Sequence, residues 1–198
     1  MSKYIAIILL MLSTLSLGTP AYADVQKCTE AIDRSDHVTA LNECKPLAEA
    51  GDAVSQAALG WIYRSGVSID KDDWKAIKWF GLAAEQGNAF AQNHLGMMYE
   101  EGAGTLQDYK EAVKLYKLSA TQGTAYAQFN LARMYETGHG VVQDFIRAHM
   151  WANIAAYEPY AGYAAELRDK LTKEMTSADV EKAQDMAREC VAKEYRGC

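Results

Sequence analysis

The chain has 198 residues, 49% hydrophobic and 23% charged, with a formal net charge of −6. A mildly acidic chain without a Lys/Arg block argues against nucleic acid and against anionic membrane surfaces as partners. Four cysteines are an even number, which in an oxidising compartment favours disulfides over metal ligation.

The first element is a leader. Lys3 supplies a short positive start, Ile5 to Leu12 is an apolar run, and Ala21-Tyr22-Ala23 forms an A-x-A site before Asp24. Residues 1–23 are therefore predicted to be a secretory signal peptide cleaved after Ala23. The run is too short to span a bilayer, which needs about 20 apolar residues. No cysteine follows the cleavage site directly, the first being Cys28, so a lipoprotein is not expected. Loss of Lys3 moves the net charge from −6 to −7. No second apolar run of spanning length exists, and the mature chain is expected to be a soluble, periplasmic protein without membrane insertion.

Residues 24–52 are predicted to form an N-terminal capping hairpin, with helices over 26–33 and 38–50 around a turn at 34–37. Cys28 and Cys44 are each eight residues from Asp36, the middle of that turn. Such positions face each other across an antiparallel hairpin, so the geometry favours a Cys28–Cys44 disulfide.

Residues 53–88, 89–124 and 125–160 then align without a gap at a period of 36. Ala53, Gln56, Leu59, Tyr63, Gly66, Asp72, Ala76 and Ala84 recur in all three copies. Ala53, Gln56, Leu59, Gly60 and Tyr63 share one helix face. Gly66 ends that helix, and Asp72 stands where the N-cap of a second helix belongs. The second helix carries Ala76, Trp79, Phe80, Ala83 and Ala84 and stops at Gly87. Residues 40–53 match this second-helix half of the repeat, with Ala40 under Ala76, Ala48 under Ala84 and Gly51 under Gly87, which is why the hairpin reads as a cap. The stretch ETGHGVVQD at 136–144 is the turn of the third copy: Gly138 ends one helix, Asp144 caps the next, and Val141 tucks the loop inward.

Residues 161–198 are predicted to be C-terminal capping helices, one over 161–173 and one N-capped by Thr176 and running to about Lys193. Pairing of Cys190 with Cys198 requires the chain to unwind and double back, which Gly197 makes easy. The expected fold is all-α: a superhelical α/α solenoid of two-helix repeats between two caps, with contacts between neighbours only.

The frame A-x-x-Q-x-x-L-G-x-x-Y-x-x-G-x-G, followed by D, A, W and A-A-x-Q-G, resembles Sel1-like repeats, relatives of tetratricopeptide repeats. Ser68, Ala132 and Pro159 depart from it mildly. The resemblance implies a superhelix that binds other proteins. Short exported bacterial members resembling this one serve as periplasmic adaptors, regulators of envelope signalling or envelope scaffolds. Some are immunity proteins that neutralise phospholipase-like toxins of type VI secretion. A cysteine-rich subgroup is linked to β-lactam binding through a cysteine pair in each repeat, and the three full copies here contain no cysteine.

The four histidines, His37, His94, His139 and His149, are scattered over a turn, a first helix, a loop and a second helix. No cluster at metal spacing and no nucleophile motif is present in the sequence. No catalytic, metal or cofactor-binding residue is expected, and the chain reads as non-enzymatic. Binding of another protein is expected instead, on the variable stripe of the first helices, which line the concave surface. Trp61, Asn93, Met97, Phe129 and Arg133 are the predicted contacts, since aromatics, Met and Arg concentrate interface energy. Phe90 and Tyr126, at the helix starts, are equally well explained by packing on the adjacent copy. The leading function is an exported interaction scaffold or adaptor; the alternatives are a toxin immunity protein and a β-lactam-binding or hydrolysing enzyme.

Overall fold

A computed structural model of the chain describes residues 20–67, 69–156 and 161–198. Residues 1–19 of the predicted leader, Ser68, and Pro159 with Tyr160 lie outside the described residues. Among the described residues there are ten helices and no strand. Helices α1 (Pro20–Asp33) and α2 (His37–Glu49) form the N-terminal hairpin. The repeats follow as α3 (Ala53–Ser65) with α4 (Asp73–Glu85), α5 (Ala89–Glu101) with α6 (Tyr109–Ala120), and α7 (Ala125–Thr137) with α8 (Phe145–Ala155). Helices α9 (Ala161–Glu174) and α10 (Ser177–Ala192) close the array. No described helix is long and apolar enough to cross a membrane.

Helix α1 starts at Pro20 rather than at residue 26, so cleavage after Ala23 would remove only its first turn. The other boundaries follow local chemistry that recurs in every copy. Each first helix ends at a glycine in the left-handed region, Gly66, Gly102 and Gly138 at φ 65°, 71° and 75°, a conformation without steric cost only for glycine. Each second helix starts at an aspartate whose carboxylate accepts backbone N–H groups. Asp72 takes that of Lys75 at 3.0 Å, Asp108 those of Lys110 and Glu111 at 2.9 and 3.1 Å, and Asp144 that of Arg147 at 2.9 Å. Asp52 and Asn88 cap two first helices in the same manner, while Thr124 makes no side-chain cap bond.

Packing runs from neighbour to neighbour along the chain. The small residues have a direct steric purpose. A Cβ on Gly60 would lie 2.6 Å from the Phe80 ring, and one on Gly96 would lie 2.8 Å from the Tyr116 ring. In the third copy the ring position is Ala152, and Ala132 stands where the other two have glycine, both fully buried. That departure from the repeat is a compensated pair. Trp151 is buried, whereas the equivalent Trp79 is only partly so.

The stacking is stitched by glutamines at one repeat position. Gln56, Gln92 and Gln128 are buried and donate to the carbonyls of Ala48, Ala84 and Ala120 in the preceding unit, at 3.1, 3.2 and 3.3 Å. Gln86 and Gln122 in turn donate to the side-chain oxygens of Gln56 and Gln92. A buried amide left unpaired would cost about 1–3 kcal/mol, so the pattern enforces stacking register.

Both disulfides form. Cys28–Cys44 ties α1 to α2 inside a buried cluster with Leu59 and Ile62. Cys190–Cys198 closes the C-terminus, where the chain reverses through Glu194, Tyr195 and Gly197, all at positive φ. The reversal is thus shared with two residues that carry side chains. Helices α9 and α10 each pack against α8.

Candidate partner-binding face

The first helices of successive units exchange side-chain bonds directly across the array. Asn130 on α7 donates to Asn93 on α5 at 3.1 Å. Arg133 on α7 pairs with Glu100 on α5 at 2.9 Å, and Glu100 also accepts the Tyr116 hydroxyl at 2.6 Å. Arg64 on α3 pairs with Glu101 on α5 and with Asp73 at 3.0 Å. Glu136 on α7 pairs with Lys170 on α9 at 2.6 Å. Every junction from the first repeat to the C-terminal cap therefore carries a charge pair near the ends of its first helices. Burial, and then the Glu100 carboxylate beside it, raise the pKa of the Tyr116 hydroxyl, so it remains a donor.

The predicted contact residues lie along these first helices at different depths. Trp61 is half-buried, its ring 5.0 Å from that of His37, and it packs on the clusters either side of it. Met97 and Phe129 are half-buried against the central cluster. Arg133 keeps 41% of its side chain exposed while paired with Glu100. Asn93 is a correction: it is 4% exposed, and its amide is used up on Asn130 and the Met97 sulfur. A partner cannot reach it; it holds α5 to α7.

The most accessible part of the same face is the row that the sequence leaves evenly balanced between packing and partner contact. Val54, Phe90 and Tyr126 occupy one repeat position and are 44%, 46% and 48% exposed. Packing against the adjacent copy leaves nearly half of each side chain in solvent. Together with Trp61 and Ile32, Val54 and Phe90 line a groove of about 320 Å³. An apolar row above a floor of Trp, Met and Phe with an arginine at one end has the composition of interface anchors.

The histidines are held in four separate settings. His94 stacks on Phe80 at 5.3 Å and against Phe90 at 4.2 Å. Burial, and then the nearby Arg64, lower its pKa from 6.5 to about 4. His37 meets Trp61, His139 stacks on Tyr109 at 4.7 Å, and His149 lies 3.1 Å from the Thr172 hydroxyl. Among the described residues no group of three or more His, Cys, Asp or Glu is arranged to hold a metal ion.

The model of the Sel1 repeat matches residues 53–88, 89–124 and 125–160. Among solved structures, the chain is similar to a protective antigen of uropathogenic Escherichia coli strains that displays an SLR fold, with 28% identity and a TM-score of 0.73. That match covers 79% of this chain and 34% of the other, so the chain spans about a third of the E. coli protein's length. It is also similar to a Sel1 repeat protein from Oxalobacter formigenes, at 35% identity and a TM-score of 0.57, over 65% of this chain and 97% of that one. No curated protein matches the chain.

Proposed function

The chain belongs to the Sel1 repeat family, whose members are generally protein-interaction scaffolds, and from that premise we propose that it is an exported, periplasmic adaptor that binds another protein along the wall of its first helices. One observation carries the reading. Val54, Phe90 and Tyr126 repeat an exposed apolar side chain at one position of three successive helices, over a half-buried floor of Trp61, Met97, Phe129 and Arg133. Apolar groups left in water at a constant spacing offer a partner transfer free energy of about 25 cal/mol per Å² once covered. The glutamine stitching holds that spacing before any partner arrives, which reduces the ordering cost of binding.

Export is supported by the A-x-A leader pattern and by the two disulfides, which persist in oxidising compartments. We assign no catalytic residue. Arg133, on α7 and outside the groove, acts as a positioned cation of the same wall, with Glu100 holding its guanidinium in place.

The test is site-specific photocrosslinking in intact cells, with the reactive group placed in turn at Phe90, Tyr126 and Val142. Val142 is 84% exposed on a loop away from the groove. Adducts with one and the same protein at 90 and 126, and none at 142, are expected. The same adduct at all three positions, or only at 142, removes the groove from the proposal.

A further inference from the structure

Helix α10 sits where no helix of the repeats sits. It lies along α8 and buries Ala183, Ala187 and Cys190. Beneath it Met150 and Ile154 are 2% and 3% exposed. Met186 and Glu189 come beside Met150, and Ala187 and Val191 beside Ile154. The stripe of α8 that faces α10 is thus Arg147, Met150, Asn153 and Ile154, successive positions on one side of a helix.

One period earlier, the same stripe on α6 reads Glu111, Lys114, Lys117 and Leu118, with Lys110 beside it. No described helix covers it. The three lysines are exposed, Leu118 is 45% exposed, and with Val113 they border a shallow groove of about 590 Å³. Lys117 lies over the Tyr135 ring at 5.6 Å, and Lys114 pairs with Glu111 at 2.8 Å. In a chain of net charge −6, Lys110, Lys114 and Lys117 outnumber the one carboxylate, Glu111, on these two turns, a local reversal of sign around a leucine and a valine. The two seats adjoin: Tyr195, which follows α10, packs on Gly123 just beyond the end of α6, 3.1 Å from where its Cβ would be.

We propose that the outer face of α6 docks an amphipathic helix of a partner protein, small or aliphatic on its contact side, as α10 is, and acidic where it passes the lysines. The geometry of α10 on α8 is the template. In that template, positions 187 and 191 line one cavity with the residue equivalent to Leu118, and position 186 lines another with the residue equivalent to Lys114. A carboxylate at position 186 of the docking helix therefore faces Lys114. The chain's own α10 is unavailable for this, since the seat on α8 and the Cys190–Cys198 bond hold it. This surface is independent of the first-helix wall and works with or without a partner there.

The experiment uses the oxidised protein and a fluorescent peptide of residues 176–193 carrying Met186→Glu and Cys190→Ala. Saturable binding is expected by fluorescence anisotropy, weakened at least about tenfold by Lys114→Glu with Lys117→Glu, equivalent to about 1.4 kcal/mol. Lys173→Glu on α9 is expected to leave it unchanged, and a peptide with Met186→Lys is expected to recover binding to the doubly reversed protein. Circular dichroism confirms that the exposed substitutions leave the fold intact. Absence of saturable binding, or binding indifferent to the charge reversal, overturns the proposal. So do two substitutes: sedimentation with phosphatidylglycerol vesicles, or self-association, that the reversal abolishes while the peptide fails to bind.

Discussion

The first and third repeats share a frame but fill its centre in opposite ways. In the first, Phe80 lies flat over Gly60, and His94 of the next unit stacks on the far side of the ring. In the third, Ala132 stands opposite the Ala152 position, Glu166 is the counterpart of the histidine, and the adjacent Trp151 is fully buried. The two solutions avoid a clash by pairing a large side chain with the smallest one, or two small ones with each other. A residue that breaks a repeat pattern is therefore best judged with its contact, not against its column.

The largest expected effect breaks the aromatic solution outright. Phe80→Ala creates a cavity over Gly60 and is expected to cost about 3–5 kcal/mol in chemical denaturation. A loss under about 1 kcal/mol, as if the alanine of the third repeat were equally good here, would show that the ring is not what organises this repeat.

Next comes the histidine on that ring. Its pKa is lowered from 6.5 to about 4 in the folded chain, so the unfolded chain binds its proton first. The contribution is complete above pH 6.5 and is lost as pH falls towards 4, up to about 3 kcal/mol at about 1.4 kcal/mol per pH unit. His94→Leu should flatten the stability curve across that window alone. An unchanged slope between the two proteins would place the acid sensitivity elsewhere.

The smallest effect exchanges the two small residues. Gly60→Ala is expected to cost about 1–3 kcal/mol by overpacking the ring, and Ala132→Gly about 1 kcal/mol through helix propensity. Combining Gly60→Ala with Phe80→Ala should cost less than the two added together. Strict additivity would mean that glycine and ring are not a unit.

Much of the fold was legible. The period of 36 residues located three helix pairs, the recurring Asp and Gly positions their caps, and the symmetry about Asp36 the first disulfide. The candidate face was legible only in outline. An alignment shows which residues are equivalent, whereas contacts between units join residues that are not. Asn93 meets Asn130 and Arg64 meets Glu101 at a separation of 37, and Glu100 meets Arg133 at 33. Those offsets depend on how far each unit rotates on the last, a quantity that periodicity does not contain. Asn93 was consequently placed on the surface when it is buried, and the exposed row of Val54, Phe90 and Tyr126 was left undecided between packing and partner contact. The lysine stripe of α6 gave no signal because its meaning lies in the covered equivalent on α8.

The glutamine stitch has a consequence for how the array comes apart. Gln92 satisfies a backbone carbonyl of the first repeat while its own oxygen is satisfied by Gln122 of its own repeat. Opening a single interior unit therefore orphans polar groups on both sides of the gap. Native-state hydrogen exchange should find the three repeats exchanging as one cooperative block, with independent fraying confined to the ends. A protein assembled from copies of one motif would then respond to stress as a single mechanical piece.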